Sequence, residues 1–208
     1  VEESPAPNLP AALKARLTEA AVAGARAVGY VNAGTMEFIV HGEHFYFLDM
    51  NRRQQVEHPV TEEVTGLDLV QAQLRVASGE PLPWTQEQVS QRGCSIECRV
   101  YAEDPARNFM PSPGRISRLA LPAGPGVRVE CGVAEGVEVS VHYDPLLAKL
   151  IATGATRHDA IERMRGALAA FLVEGVKTVI PFQRRVVDSP AFRACAGHTQ
   201  MVEEGAFR

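Results

Sequence analysis

Two carboxylates, Glu37 and Asp49, lie where β-branched and aromatic residues are frequent. Residues 34–40 and 45–51 predict two strands, and the short polar segment between them is typical of a hairpin loop. On adjacent antiparallel strands the two carboxylates are nearly opposite each other, and Asn51 shares the face of Asp49. Two carboxylates and an amide suit Mg²⁺, which usually also binds substrate phosphates. The alternative is a pair of solvated acids on a hairpin, and the spacing alone favours that alternative.

A dense polar stretch, residues 52–59, follows the second strand directly. It ends in a proline, so we predict a loop, and loops are common places for function. An arginine such as Arg52 or Arg53 can hold a small planar anion through two donors. A nearby glutamate, Glu57, can act as a general base on that anion. A solvated polar loop is the equally supported alternative.

Arg99 lies in a second apolar stretch, residues 95–101, which predicts a strand. By alternation Glu97 and Arg99 face one side of this strand, and Cys98 faces the other. For this segment alone, an exposed cross-strand ion pair is the favoured interpretation. Cys98 is interpreted as a small core residue because no acid–base partner is evident. Lys149, in a later predicted strand, is interpreted as a surface lysine unless that strand lines a cleft.

The elements that position these residues are helices and strands in mixed order, which predicts an α+β chain. The predicted helices cover residues 11–28, 67–77, 157–172 and 181–187. The further predicted strands cover residues 115–121, 127–133 and 146–153. Thr156 and Asp159 resemble a capping box at the start of the third helix. Residues 81–93, with two prolines, predict a connection between two units.

Composition excludes several classes of protein. The 208 residues carry a formal net charge of −4, which argues against a mainly electrostatic nucleic-acid binder. The longest apolar runs fall far short of the ~20 residues of a membrane helix. The four cysteines form no CxxC pair, which argues against a zinc framework. The first residues contain neither a signal peptide nor an initiator methionine, so we expect the chain to begin inside a longer polypeptide.

Several motifs together resemble one family. They occur in this order: Gly34-Thr-Met-Glu-Phe, Phe47-Leu-Asp-Met-Asn, Gln55-Val-Glu-His-Pro-Val-Thr-Glu, Gly66-Leu-Asp-Leu-Val, Glu97-Cys-Arg, Ala102-Glu-Asp-Pro, Pro111-Ser-Pro-Gly, Tyr143-Asp-Pro and Gly175-Val-Lys-Thr. The chain resembles the C-terminal half of biotin carboxylase, an ATP-grasp enzyme, over nearly its whole length. Residues 139–145 are most similar to the biotin-containing alpha subunits of acyl-CoA carboxylases, of the methylcrotonyl, geranyl, propionyl or acetyl-CoA type.

The resemblance implies a two-stage reaction. ATP and bicarbonate give carboxyphosphate and ADP, and carbon dioxide is then transferred to N1′ of biotin on a carrier domain. The implied metal ligands, for two Mg²⁺ or Mn²⁺ ions, are Glu37, Asp49 and Asn51. The implied ATP-binding residues are Glu37, Ile39, Asp49 and Met201. The implied bicarbonate-binding residues are Arg53, Gln55, Val56 and Glu57. The implied catalytic residues are Glu57 as the base, Arg53, and Arg99, which binds biotin and stabilises its enolate oxygen.

The resemblance also implies organisation and partners. Residues 1–85 are expected to complete an ATP-grasp domain that holds the metal and bicarbonate site. Residues 86–208 are expected to form a biotin carboxylase C-terminal domain, with an antiparallel sheet and packed helices. Implied partners are the biotin carboxyl carrier domain, a carboxyltransferase subunit, the N-terminal half of the same enzyme and a second copy. The expected compartment is the bacterial cytoplasm, or the mitochondrial matrix in a eukaryote.

Five positions depart from the family pattern: Asp49, Arg52, Gln54, Cys94 and Val179. The family usually has glutamate where Asp49 stands, and threonine where Arg52 stands. The family residues that precede this segment include the glycine-rich ATP lid, so the chain alone is expected to be inactive. The alternative hypothesis is a non-catalytic scaffold or dimerisation module, in which Asp49 and Arg52 mark lost chemistry. A different ATP-grasp ligase is disfavoured by the run from Gln55 to Pro59 and by the Arg99 segment.

Overall fold

The computed structural model describes residues 1–198 and 200–207, which fall into two compact units. Residues Ala6–Gln91 form one unit, called here the hairpin unit. Val1–Pro5 and the residues from Arg92 onward form the other, called the sheet unit. Strand β1 (Glu2–Ser4) therefore belongs to the sheet unit, although the hairpin unit follows it in the chain. No helix in the described residues is both long and apolar enough to cross a bilayer.

The hairpin unit contains three α-helices, two strands and a short 3-10 helix (Gln86–Gln88). These are α1 (Ala11–Ala27), β2 (Thr35–His41), β3 (His44–Asn51), α2 (His58–Thr65) and α3 (Leu69–Ala77). Strands β2 and β3 pair antiparallel, which confirms the predicted hairpin. Only two residues separate them, and Gly42 adopts a left-handed backbone with φ 59°, which glycine tolerates without strain. The predicted first helix is confirmed within one residue at its C-terminal end.

Helix α2 corrects the prediction of a loop through residue 59. Pro59 is the second residue of this helix instead of its terminator. A proline is tolerated in the first helical turn because the N–H groups there have no acceptor within the helix. Val60 and Val64, one turn apart, are buried, and Gly66 ends the helix in a left-handed conformation. The helix begins at His58, so the polar stretch that precedes it is shorter than predicted.

The sheet unit is built around four strands in the order β1-β4-β11-β9, all antiparallel. Its elements after β1 are β4 (Cys94–Tyr101), β5 (Glu103–Asp104), β6 (Met110–Pro111), β7 (Gly114–Arg115), β8 (Arg118–Ala120), β9 (Val127–Cys131), β10 (Glu138–Val139), β11 (Leu146–Gly154), α4 (Arg157–Ala170), β12 (Leu172–Glu174), α5 (Ile180–Asp188) and α6 (Pro190–Arg193). The mixed helical and antiparallel architecture predicted from the sequence is confirmed.

One face of the four-stranded sheet packs on α4. The apolar side chains of this core come from alternate positions of the two central strands and from one stripe of the helix: Ile96, Cys98, Val100, Ala148, Leu150, Ala152, Ala160, Ile161, Met164, Ala167 and Leu168. Truncating a large member to alanine would cost about 2–5 kcal/mol, because the cavity cannot fully collapse. The predicted capping box starts the helix: Asp159 N donates to Thr156 Oγ1, and Thr156 N donates to Asp159 Oδ2.

The predicted strand over residues 115–121 is split into β7 and β8. The backbone N–H groups of the two residues between them donate to different partners. Ile116 N donates to Val137 O at 3.0 Å, whereas Ser117 N donates to Glu174 O at 2.9 Å. β7 accordingly pairs with β10 and β8 pairs with β12. Strand periodicity in the sequence does not reveal this change of partner.

Candidate functional site

The hairpin brings two acids and an amide to one face. Glu37 and Asp49 are direct partners in the β2–β3 register, and Asn51 is the partner of Thr35. Directly opposite residues of an antiparallel pair lie on the same face, and so do residues two apart on one strand. The predicted opposition of Glu37 and Asp49 is therefore confirmed. A register shift follows Glu37, as in a β-bulge, which locally increases twist.

Hydrogen bonds connect this acidic face to the polar stretch after β3. Asn51 Nδ2 donates to Glu37 Oε1 at 2.6 Å, and Gln55 Nε2 donates to the same oxygen at 3.3 Å. Arg53 Nη1 donates to Gln55 Oε1 at 3.2 Å. Gln55 thus joins a carboxylate to a guanidinium, so the acidic and basic halves of the cluster are held as one network. Asp49 instead accepts from the backbone N–H of Met50 at 2.7 Å.

The turn after Gln55 presents Val56 and Glu57 immediately before helix α2. Both residues are half-buried. The backbone carbonyl of Gln55 accepts from His58 N at 3.3 Å and lies 2.7 Å from His58 Nδ1. The backbone carbonyl of Glu57 accepts from Val60 N at 3.2 Å. These bonds fix the turn against the start of the helix, so Glu57 occupies a defined position one helical turn from Val60.

The donor set on the hairpin fits a hard divalent cation. Glu37 and Asp49 offer carboxylate oxygens and Asn51 offers an amide oxygen, the ligand types that Mg²⁺ prefers. Glu37 is half-buried and Asp49 is exposed. Glu37 already has two amide donors at one oxygen, which is the kind of support that orients a metal-binding carboxylate. Asp49 is one methylene shorter than glutamate, so its reach across the hairpin is smaller.

The two residues that the resemblance places at adenine lie in different units. Ile39 is on β2, where its register partner is Tyr46, and its side chain is 55% exposed. Met201 lies in the sheet unit, in the last described segment, and is half-buried. Both remain predictions as ATP contacts.

Arg99 lies on the second face of the four-stranded sheet, the face turned away from α4. The cross-strand ion pair that the strand pattern favoured forms with Glu2 of β1, with Arg99 Nε and Glu2 Oε1 3.0 Å apart. The expected exposure is wrong, because both side chains are half-buried and Glu97 on the same face is fully buried. Gln183 Nε2 donates to the backbone carbonyl of Arg99 at 2.6 Å, which ties this strand to α5.

Lys149 is the register partner of Arg99 on β11, and its side chain is only 13% exposed. The interpretation as a surface lysine is therefore wrong. Lys149 forms an ion pair with Glu130, its register partner on β9, and Arg128 pairs with the same carboxylate. Partial burial raises the pKa of the Glu130 carboxyl, but hydrogen bonds from Lys149 and Arg128 outweigh it and leave that pKa below its ordinary value.

The sequence analysis did not predict that Glu2, Glu130 and Lys149 lie on the same sheet face as Arg99. The available signal was the isolated charge inside apolar strands, as in the run Leu146 to Ile151. Cys98, on the opposite face, is a core residue as predicted. Burial raises the pKa of its thiol to about 12, which excludes a thiolate nucleophile there at neutral pH.

Comparison with known protein families shows which family the chain belongs to. Residues 97–204 match the family described as "Biotin carboxylase C-terminal domain", and residues 1–85 match "Carbamoyl-phosphate synthase L chain, ATP binding domain". The first match covers more than half of the chain. The chain therefore belongs to the biotin carboxylase family, with an ATP-grasp-related fold, as the motifs predicted.

Individual relatives agree with this assignment. The chain is 48% identical over 203 residues to the biotin carboxylase of Halalkalibacterium halodurans, covering 97% of this chain and 45% of that protein. It is 49% identical over 194 residues to biotin carboxylase 2 of Bacillus subtilis, covering 93% of this chain and 44% of that protein. The chain thus spans less than half the length of these relatives.

A solved structure shows the same backbone arrangement. The biotin carboxylase domain dimer of the Hydrogenobacter thermophilus 2-oxoglutarate carboxylase, in complex with MgADP, ADP and bicarbonate, superposes with a TM-score of 0.95 at 42% identity. The match covers 98% of this chain and 45% of that chain.

Proposed function

We propose that this chain supplies part of the active site of a biotin carboxylase, which uses MgATP and bicarbonate to carboxylate biotin. The observation that carries the proposal is the network in which Gln55 joins Glu37, on the acidic face, to Arg53, in the polar stretch that precedes Glu57. It unites a cation-binding face and an anion-binding loop within one unit, as a reaction between a nucleotide and a small anion requires. The relatives and the MgADP- and bicarbonate-bound neighbour support it.

Each residue has a distinct role in this proposal. Glu37, Asp49 and Asn51 would hold two Mg²⁺ or Mn²⁺ ions, which when bound neutralise charge developing on the transferred phosphoryl group. Arg53, Gln55 and the backbone at Val56 would hold bicarbonate, and Glu57 would remove its proton. Ile39 and Met201 would contact adenine. Arg99 would stabilise the enolate oxygen of biotin by an oxyanion-type interaction.

Organisation and partners follow from the same proposal. Residues 1–85 would complete the ATP-grasp domain and residues 86–208 would form the C-terminal domain, joined in the whole enzyme to an N-terminal half. The biotin would be delivered on a carrier domain, and a carboxyltransferase would pass the carboxyl group on to an acyl-CoA. We also propose a homodimer, because the neighbour from Hydrogenobacter thermophilus is a dimer.

The test is ATP hydrolysis by the longest natural polypeptide that carries this chain. We expect ADP release that requires bicarbonate and rises with free biotin. Hydrolysis that requires bicarbonate but ignores biotin would retain the ATP-grasp site and reject the role of Arg99. Absence of both Mg²⁺-dependent ATP binding and turnover would reject the enzyme hypothesis. It would favour a non-catalytic module, with Asp49 and Arg52 as the altered positions.

A further inference from the structure

Four charged residues share one sheet face with Arg99: Glu2, Lys149, Glu130 and Glu97, which is fully buried two residues earlier on the same strand. Glu2 is on β1, on one side of Arg99, and its Oε1 is 3.0 Å from Arg99 Nε. Lys149 is on β11, on the other side, directly opposite Arg99 in the strand register, and Glu130 lies beyond it on β9. The side chains of Arg99 and Glu2 are 27% and 23% exposed, so water screens their attraction only in part.

The charges on the two sides act in the same direction. The carboxylate of Glu2 attracts the guanidinium toward β1. The ammonium of Lys149 repels it from β11, although Glu130 pairs with Lys149 and weakens that repulsion. A long arginine side chain would otherwise sample several rotamers. The arrangement therefore selects the rotamers of Arg99 that lean toward β1.

Pairing through Nε has a geometric consequence. Nε is the guanidinium nitrogen nearest the aliphatic stem, and the guanidinium is planar with donors in fixed directions. An ion pair at this end of the group, 3.0 Å from Nε to Glu2 Oε1, restricts where the guanidinium lies relative to β1. An oxyanion is stabilised best by donors that are already oriented before charge develops.

We propose that Glu2 is the positioning residue of Arg99: its carboxylate on β1 forms an ion pair at Arg99 Nε and keeps the guanidinium beside β1, where it can meet its target. This inference rests on the proposed function, because the target named there is the biotin oxygen. Glu2 itself does not touch the substrate in this proposal.

The adjacent residue Glu3 provides a matched control. It lies on the same short strand but on the opposite face, where its carboxylate pairs with Arg157 at 2.6 Å from Nε and 2.9 Å from Nη2. Glu3→Gln removes an ion pair from the same strand without touching the Arg99 face. Its effect measures what loss of a β1 ion pair does to stability alone.

The experiment compares Glu2→Gln, Glu2→Asp and Glu3→Gln in the longest natural polypeptide that carries this chain. For Glu2→Gln we expect a fall of roughly 10–100-fold in kcat/KM for free biotin, with bicarbonate-dependent ATP hydrolysis without biotin unchanged. Glu2→Asp should recover part of the loss, and Glu3→Gln should leave both rates unchanged. Equal losses in both rates, or equal losses in Glu2→Gln and Glu3→Gln, would overturn the proposal.

A second readout does not depend on biotin. The order parameter of the Arg99 Nε–H bond, measured by NMR relaxation on arginine-labelled protein, should be lower in Glu2→Gln than in the wild type or in Glu3→Gln. An unchanged order parameter would overturn the positioning role. A lower order parameter in a polypeptide whose wild type shows no biotin-stimulated hydrolysis would support positioning by Glu2 while rejecting the proposed function.

Discussion

Gln55 is the residue on which the hairpin-unit site depends most. Its amide nitrogen donates to Glu37 and its amide oxygen accepts from Arg53, so both ends of one side chain are used. A neutral amide of this length donates at one end and accepts at the other, which suits it to bridge a carboxylate and a guanidinium. Loss of the amide separates the proposed metal ligand from the proposed anion ligand.

Replacing Gln55 with methionine keeps the length of the side chain and removes both hydrogen bonds. We expect the Mg²⁺ and bicarbonate concentrations for half-maximal ATP hydrolysis to rise by roughly 10–100-fold, the usual effect of losing support for a ligand. Gln54→Met is the control, because the Gln54 amide nitrogen has no hydrogen-bond partner among the described residues. Equal responses of the two variants would contradict the role of Gln55.

The residues of the hairpin face could be predicted because alternation fixes which side chains share a face, and Glu37 and Asp49 are close in sequence. The surroundings of Arg99 could not. Glu2 and Lys149 lie next to Arg99 because their strands, β1 and β11, pair with β4 from distant parts of the sequence. Alternation within residues 95–101 predicts which side chains share a face, but not which residues of other strands bury that face. That is why Glu97 was predicted exposed and is buried.

At the scale of elements, the connection into α5 depends on one close backbone approach. Gly175 has a left-handed φ of 100°, and a Cβ there would lie 2.0 Å from the backbone oxygen of Arg115 and 2.9 Å from Ser117 N. These atoms belong to the segment that changes partners between β7 and β8. A side chain at Gly175 would separate β12 from β8, because the backbone cannot yield as a flexible side chain could.

Gly175→Ala should therefore destabilise the protein. The backbone conformation alone accounts for roughly 1–3 kcal/mol, and the steric contact adds to it. Gly166→Ala is the matched control: Gly166 is in α4, and a Cβ there meets nothing within 4 Å among the described atoms. That change should stabilise by roughly 0.5–1 kcal/mol. Urea unfolding midpoints that move in the same direction for both variants would contradict this account.

The lowered pKa of Glu130 predicts how the sheet responds to acid. A carboxyl whose pKa is lower in the folded state stabilises the fold above its ordinary pKa and loses that contribution as the pH falls through the folded value. Glu130→Gln should thus be less stable than the wild type at about pH 6, and the difference should narrow by about pH 3.5. Unfolding free energies at the two pH values test this, and a difference that widens in acid would refute it.

The boundaries of helices and strands show which local sequence signals are sufficient to predict where an element begins or ends. The capping box of α4 was predictable because Thr156 and Asp159 need only each other. The start of α2 was missed because a proline marks the first turn of a helix as readily as its end. The break between β7 and β8 was missed because the partners of Ile116 and Ser117 are remote in sequence.

For the whole molecule, the order of the chain differs from the order of the sheet. β1 and β4 are adjacent antiparallel strands, with Ser4 paired to Ser95, yet the entire hairpin unit lies between them in sequence. The hairpin unit is thus an insertion between two neighbouring strands. Without β1, the edge of β4 would present unpaired backbone groups, which promote association between chains.

This organisation predicts the behaviour of two shortened proteins. The chain from Arg92 onward should form assemblies larger than a dimer, whereas the same chain preceded by residues 1–5 and a short Gly/Ser linker should form nothing larger than the proposed dimer and have a higher melting temperature. A version with five Gly/Ser residues in place of residues 1–5 controls for tail length. Sedimentation velocity distinguishes the three, and identical behaviour of all three would contradict an edge role for β1.

The insertion also has a consequence during synthesis on the ribosome. β1 emerges before the hairpin unit, whereas its pairing partner β4 emerges only after that whole unit, and β11, the other neighbour of β4, emerges later still. Because nascent domains tend to fold as they appear, the hairpin unit can fold while β1 is still without a sheet. β1 would then pair with its sheet only after the hairpin unit that follows it has folded.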